Sequence, residues 1–334
     1  MICKKCGMPD TRPGSKFVGD VCLACINYEN RSKVDWRARK QLLKDICSER
    51  KRDKAQYDCV IAVSGGKDST VIVHDLVKIY KMRPLLVTVT DEFTHTRAGA
   101  HNVKNIAEQF NCDHIIFRCE PQTFKKETLK DFEKELHPLK WIEEKIYSKP
   151  IEVAKRFDIP IVFFGENSAY EYGSSNELEM THSMSDDKTM VFYYFAFVPY
   201  NEEQNLIKAK QWGFKDLDDT GEWYRQGNID RYTQIDSVAY IIQLWTKYPK
   251  YGFQRVSDMY SRFIRKGIMK EEKARLLMEE NDFVCDPEAK LDFCKTIGIT
   301  QNYFDEIVDG HANRKIVHKD AAGRWRRIEG WWKQ

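Results

Sequence analysis

Residues 59–76 read CVIAVSGGKDSTVIVHDL: an apolar run, a turn with two glycines and a lysine, then an amphipathic stretch. A strand that passes into a helix through such a turn is an anion site. The first amides of a helix have no intrahelical acceptor and carry partial positive charge. Gly65 and Gly66 let the backbone close on phosphate oxygens, Lys67 adds a cation, and Ser64 and Ser69 add hydroxyls. The pattern is not that of a Walker A loop, because the two glycines are adjacent and an acid follows the lysine. Asp68 beside bound phosphates would be repelled unless a divalent cation bridged them. The chemistry expected is therefore Mg2+-dependent handling of a nucleotide polyphosphate. The alternative is an ordinary strand-to-helix turn that happens to contain Gly-Gly.

A second constellation lies at the N-terminus. Cys3, Cys6, Cys22 and Cys25 form C-x2-C, a gap of fifteen residues, and C-x2-C again. This is the spacing of a tetrahedral zinc site built from two tight turns. Pro9, Pro13, Gly14 and Gly19 between the pairs favour a loop that needs a metal to hold it. Four thiolates leave no open coordination position, so the role expected is structural. An iron–sulfur cluster or four free thiols are the alternatives. Cys47, Cys59, Cys112, Cys119, Cys285 and Cys294 show no ligand spacing, and most of them are expected to be small buried hydrophobes.

The elements that position these residues follow from periodicity. Apolar and helical segments alternate: strand 58–63, helix 68–80, strand 85–90, helix 98–110, strand 114–118, helices 122–136 and 140–157, and strand 159–164. The fold expected is α/β, a doubly wound parallel sheet. Its ligands belong beyond the carboxyl ends of the strands. There stand Ser64 to Ser69, then Thr90 and Asp91, then Gly165, Glu166 and Asn167. Asp91 and the GENSAYEYG segment could equally be ordinary strand-end turns. From about residue 200 the pattern is helical, with helices expected at 202–213, 232–247, 256–266, 270–281 and near 287–308. The organisation expected is a zinc-binding module (1–30), a basic helical linker (31–56), a nucleotide-binding α/β domain (57–199) and a helical C-terminal domain (200–334).

With 42% hydrophobic and 31% charged residues and no apolar run of membrane-spanning length, the 334-residue chain reads as a soluble protein. The start MICKKCGMPD lacks the apolar stretch of a signal peptide, so a reducing, cytoplasmic setting is expected. A net charge of +3 is too slight to imply nucleic acid. Two segments are locally basic. Residues 31–56 hold ten Lys or Arg against four acids, and residues 314–334 hold seven against two, with Trp325, Trp331 and Trp332 among them.

SGGKDS resembles the signature of the PP-loop ATP pyrophosphatases, which cut ATP between its α and β phosphates to adenylate a carbonyl oxygen. CKKCGMPDTRPG, VCLACINYE, KPIEVAKRFDIPIVFFGENSAYEYG, YTQIDSVAYIIQ and KYGFQRVSD, taken with it, resemble the bacterial N-acetyl sugar amidotransferases over residues 1 to about 313. That resemblance implies conversion of an acetamido group on a nucleotide-linked sugar to an acetamidino group, for O-antigen, capsule or flagellar glycans. ATP, Mg2+ and structural Zn2+ are the cofactors implied. By the same analogy Lys67 and Asp68 serve the phosphates and Mg2+, Thr90 and Asp91 lie near the nucleoside, and Glu166, Asn167, Glu171 and Tyr172 lie near the reacting amide. Asp236 and Arg255, the latter in a stretch where most charged residues should form a solvated or packing face, are further candidates for substrate contact.

No glutaminase triad can be read from the chain, so separate glutamine-hydrolysing proteins are expected to supply ammonia. The basic, Trp-bearing tail is a candidate docking surface for them, or a segment packed on its own domain. Two rival readings remain: a tRNA-modifying enzyme of the thiolation type, and a zinc-ribbon adaptor with an inert nucleotide domain. No second cysteine pair and little excess charge count against the first, and the intact SGGKDS counts against the second.

Overall fold

The computed structural model of the protein describes residues 1–53, 55–166, 173 and 179–330. The N-terminal segment folds around its cysteines. A short antiparallel pair, β1 (Phe17–Val18) and β2 (Val21–Cys22), leads into α1 (Leu23–Asn30) and, after one tight turn, α2 (Trp36–Glu49). Asp35 caps α2 by accepting from the Ala38 amide at 2.9 Å. The basic character of α2 faces outward, while Leu43 and Cys47 are buried in the core of the sheet.

Five strands form the central sheet: β3 (Cys59–Ala62), β4 (Pro84–Thr90), β5 (Asp113–Arg118), β6 (Ile161–Phe164) and β7 (Met190–Tyr193). Their order is β5-β4-β3-β6-β7, and every pairing is parallel. Side chains alternate across each strand, so Ile61 and Phe163 enter the core on one face, and Val60, Val162 and Phe164 the core on the other. Each such side chain contributes about 1.5–3 kcal/mol by leaving water. The helices α3 (Lys67–His74), α4 (Arg97–Phe110), α5 (Pro121–Glu135) and α6 (Lys140–Arg156) connect the strands, and α3 continues into a wider π turn at Asp75–Ile79. The doubly wound parallel sheet expected from the sequence is present. β7 was not expected: TMVFYYFAF is an uninterrupted apolar run, and only its pairing with β6 makes it a strand.

The chain crosses from β3 to β4 and β5 on one side and to β6 and β7 on the other. The loops after β3 and β6 therefore diverge, which opens a crevice at their carboxyl ends.

The C-terminal region is mainly helical. It comprises α7 (Glu202–Gln211), α8 (Leu217–Thr220), α9 (Tyr240–Trp245), α10 (Lys247–Tyr251), α11 (Arg255–Arg265), α12 (Glu271–Asn281), α13 (Pro287–Ile297) and α14 (Gln301–His311), closed by the hairpin β8 (Val317–Lys319) and β9 (Trp325–Arg327). Its core is shared: Phe124 and Phe132 of α5 pack with Phe293 and Phe304 of α13 and α14. Trp325 is buried in the same cluster, so this part of the basic tail packs on its own domain; Trp331 and Trp332 lie outside the described residues.

The helix expected at 232–247 begins only at Tyr240. Residues 225–234 instead wrap a buried ion pair, Arg225 to Asp230 at 2.7 Å. The same guanidinium donates to the carbonyls of Asp230, Thr233 and Gln234. Burial lowers the Arg225 pKa to about 10, yet four acceptors keep it satisfied. Among the described residues no helix is long and apolar enough to cross a membrane.

Candidate active site and metal centre

The turn after β3 is built as its residue types require. Gly65 has φ +80°, and a Cβ there would lie 2.7 Å from the Val103 amide nitrogen of α4, so no side chain fits. Gly66 precedes α3, and among the described residues no side chain caps that helix. The Gly66 amide donates to Ser64 Oγ at 3.3 Å, and the hydroxyls of Ser69 and Thr70 donate to the Gly66 carbonyl at 2.9 and 3.0 Å. Ser69 thus braces the loop. The uncapped first turn of α3 faces a cleft of about 310 Å³ lined by Ser64, Gly66, Lys67, Asp68 and Ser69.

Lys67 is only 4% exposed. Its Nζ lies 2.7 Å from Asp68 Oδ2 and 3.8 Å from Glu202 Oε1. Asp68 also accepts from Asn205 Nδ2 at 2.8 Å and the Tyr200 hydroxyl at 3.3 Å. Asp68 therefore positions Lys67 and ties the loop to α7, with one lone pair left for a cation. Glu202, 1% exposed, sits between Lys67 and Arg262, whose Nη1 is 3.8 Å away. Among the described residues neither of its oxygens has a hydrogen-bond partner.

Another part of the cleft wall is acidic. Asp91, at the end of β4, accepts from the Ser237 hydroxyl at 2.7 Å and the Phe93 amide at 3.0 Å. Asp236 faces the same cleft. Burial, and then the charge of Asp91, push the Asp236 carboxyl up to about 7; burial also raises Asp91. Two carboxylates with raised pKa values favour a shared proton or a cation, and Mg2+ suits this wall as well as Asp68. Gly99 makes the approach possible, because a Cβ there would lie 2.6 Å from the Asp236 carbonyl oxygen.

This wall has a consequence for stability. The folded state keeps a proton on Asp236 that an unfolded chain releases near its ordinary value of about 4, so this group's contribution to stability is greatest below that pH. Stability is expected to fall as pH rises toward about 7, and Asp236→Asn should flatten the decline. Thermal melts of the ligand-free protein across this range test it, and an unchanged slope in the variant would remove Asp236 as the cause.

Of the residues singled out in the sequence, Ser64, Gly66, Lys67, Asp68, Ser69, Thr90, Asp91, Glu166, Asp236 and Arg255 line one cleft. Gly65 and Gly165 are outside that lining. Gly165 backs onto Ile72, whose Cδ1 would lie 3.1 Å from a Cβ there. Asn167, Glu171 and Tyr172 fall outside the described residues. Tyr200, Glu202 and Asn205 carried no expectation of a site role from the sequence, and Tyr232–Ile235 stood only within the quoted YTQIDSVAYIIQ, with no role of their own. The N-cap signal at Asn201, which accepts from the Gln204 amide, places Glu202 on a first helical turn but does not aim it at Lys67. Gln234 holds φ +52°, a left-handed conformation fixed in part by the Arg225 bond to its carbonyl.

The four N-terminal cysteines converge: their Sγ atoms all lie within 4.8 Å of one another, and all four residues are buried. Individual separations are 3.5 Å (Cys22 to Cys25), 3.6 Å (Cys6 to Cys22) and 3.9 Å (Cys3 to Cys25). A tetrahedron with metal–sulfur bonds of about 2.3 Å has sulfur edges of about 3.8 Å, so the set fits one ion. A four-iron cage needs its ligand sulfurs farther apart. The Cys22 amide donates to Cys3 Sγ at 3.2 Å, the type of contact that stabilises a thiolate ligand. The other six cysteines line none of this cleft, and burial raises all their pKa values, Cys47 to about 12 and Cys112 and Cys294 to about 11.

The module also braces the cleft. Arg12 donates to Asp258 Oδ1 at 2.5 Å, with both residues buried, and lies over Phe253. Asp258 belongs to α11, one turn from Arg255 and from Arg262, and these two share a face at i and i+7. Burial opposes ionisation of Asp258, but the charges of Arg12, Lys247 and Arg255 hold its pKa below the usual value.

Residues 226–330 match the family model of the LPS biosynthesis protein WbpG-like C-terminal domain. This WbpG-like region supplies Tyr232 to Asp236, Tyr240, Arg255 and Arg262 to the cleft. An uncharacterized protein of Methanocaldococcus jannaschii is 23% identical over 259 residues, covering 78% of this chain and 84% of its own. Solved structures that overlay include the NH3-dependent NAD synthetase of Campylobacter jejuni (13% identity, TM-score 0.39, 74% of this chain and 95% of that one). The NMN synthetase of Francisella tularensis also overlays (14%, TM-score 0.34, 55% and 72%). So does the U34-tRNA thiolase NcsA of Methanococcus maripaludis with its [4Fe-4S] cluster (15%, TM-score 0.35, 83% and 88%).

Proposed function

We propose that this protein is an ATP-dependent amidotransferase. It adenylates the acetamido oxygen of a nucleotide-linked N-acetyl sugar, then replaces that oxygen with nitrogen from ammonia. One observation carries the reading: the Gly65-Gly66-Lys67 turn opens into a cleft whose other wall is the WbpG-like region, so a triphosphate grip faces a region matched to LPS biosynthesis. The division into a zinc module, basic segment, nucleotide domain and helical domain is part of this proposal, as are the roles of individual site residues.

The uncapped amides at the start of α3 and the Lys67 ammonium hold the β and γ phosphates and stabilise the charge that grows on pyrophosphate as it leaves. The amide oxygen attacks the α phosphorus, the bond to the β phosphate breaks, and an O-adenylyl imidate forms. Ammonia adds to the imidate carbon, a proton passes to the acidic wall at Asp91 and Asp236, and AMP departs. Asp68, or that wall, would hold Mg2+, which would supply charge neutralisation. One Zn2+ on the four cysteines would supply structure. Glutamine-hydrolysing partner proteins would supply the ammonia.

The test is incubation with ATP, Mg2+, ammonium and a panel of nucleotide-linked N-acetyl sugars, with AMP and sugar mass followed together. AMP in step with exchange of O for NH on one sugar is expected. AMP released only in the presence of tRNA, or no AMP at all, would overturn the reading.

A further inference from the structure

A second cleft, of about 350 Å³, lies beside the first and shares three wall residues with it: Tyr200, Glu202 and Arg262. Its volume is in the range of small-molecule sites. Resting on the amidotransferase reading, we propose that this cleft binds the nucleoside diphosphate end of the sugar substrate, so that the sugar passes the shared wall into the catalytic cleft.

The lining has the chemistry of that ligand. Tyr28 and Trp36 supply aromatic faces, and Trp36 Nε1 donates to the Arg31 carbonyl at 3.1 Å, which fixes the indole. Aromatic faces stack nucleobases whatever their hydrogen-bonding pattern. Arg31 lies over the Tyr28 ring at 3.8 Å and forms no ion pair among the described residues. Arg265 spends its Nε on the Ser261 carbonyl, and its two terminal nitrogens have no acceptor among the described residues. Two guanidiniums beside aromatic faces suit a diphosphate, which they can grip through paired N–H donors. Lys266, by contrast, is neutralised by Glu203 at 2.7 Å. Among the described residues the one acid in the lining, Glu202, already lies between Lys67 and Arg262, so the described lining is cationic.

The arrangement separates the two nucleotides of the reaction. ATP belongs to the turn after β3, and the substrate's nucleoside diphosphate reaches the reaction from the side of α1 and α11. The two should therefore bind together rather than compete.

Calorimetric titration of UDP, CDP, GDP and dTDP into the full-length protein, with the first cleft saturated by a non-hydrolysable ATP analogue, tests this. At least one diphosphate is expected to bind. Arg31→Ala and Arg265→Ala, made singly, should each weaken it about tenfold and leave the affinity for the ATP analogue unchanged. Binding that neither variant alters, or that competes with the ATP analogue, overturns the subsite and leaves the amidotransferase reading standing. If no diphosphate binds while the ATP analogue does, the nucleotide-linked substrate falls and the subsite with it.

Discussion

Lys67→Ala is expected to lower the rate of AMP formation about a thousandfold while the protein remains folded. Lys67 is the one lysine in the cleft lining among the described residues, and it is held in place by Asp68 and Glu202. Losing a single pre-positioned donor to a developing charge costs about 3–4 kcal/mol of transition-state stabilisation. The variant also leaves Glu202 buried with Arg262 as its remaining cation, so a loss of stability of about 3 kcal/mol should accompany the loss of rate. Circular dichroism and a single-turnover assay for AMP separate the two effects. Turnover within tenfold of the parent in a folded variant would remove Lys67 from the reaction.

Loss of the N-terminal metal is expected to have the second largest effect. Cys22 stands 3.5 Å from Cys25 and 3.6 Å from Cys6, so Cys22→Ser removes a ligand that two others face. The parent protein should carry one zinc ion per chain by elemental analysis, and the variant much less. Its melting temperature should fall by roughly 5–10 °C, corresponding to about 3–5 kcal/mol, because a closed four-thiolate site contributes folding energy directly. The damage should extend beyond the module. The cysteines share a core with Phe253, and Arg12 bonds Asp258 on α11, the helix that presents Arg255 and Arg262 to the cleft. A KM for the sugar substrate that rises more than kcat falls would mark this positioning role. Full metal content in the variant would rule out the four-cysteine centre.

Much of the site was legible because its signals are local. SGGKDS places glycines, a lysine and a helix start within six residues, and the backbone geometry they need is decided within that turn. The paired C-x2-C motifs likewise confine each pair of thiols to one turn, and the structure brings the two pairs together. Strands β3 to β6 alternate with helices clearly enough to give the parallel sheet and the rim where Asp91 and Glu166 stand.

The rest depends on contacts between residues far apart in the chain. Glu202 reaches Lys67 across 135 positions and Arg262 across 60, and no spacing rule spans such gaps. The neighbouring carboxylates Asp91 and Asp236 exist as a pair only because Gly99 lets α4 close on the Asp236 backbone. The helix expected from residue 232 gives way to a turn because one fully buried guanidinium needs the carbonyls a helix would have used itself. The sequence by itself determined the glycine-lysine turn at a helix start, the four-cysteine set and the class of fold, since these rest on residue types within a few positions of one another. Only the tertiary structure decided which acids and arginines face that turn, because burial, charge pairing and close backbone approach arise when distant segments pack.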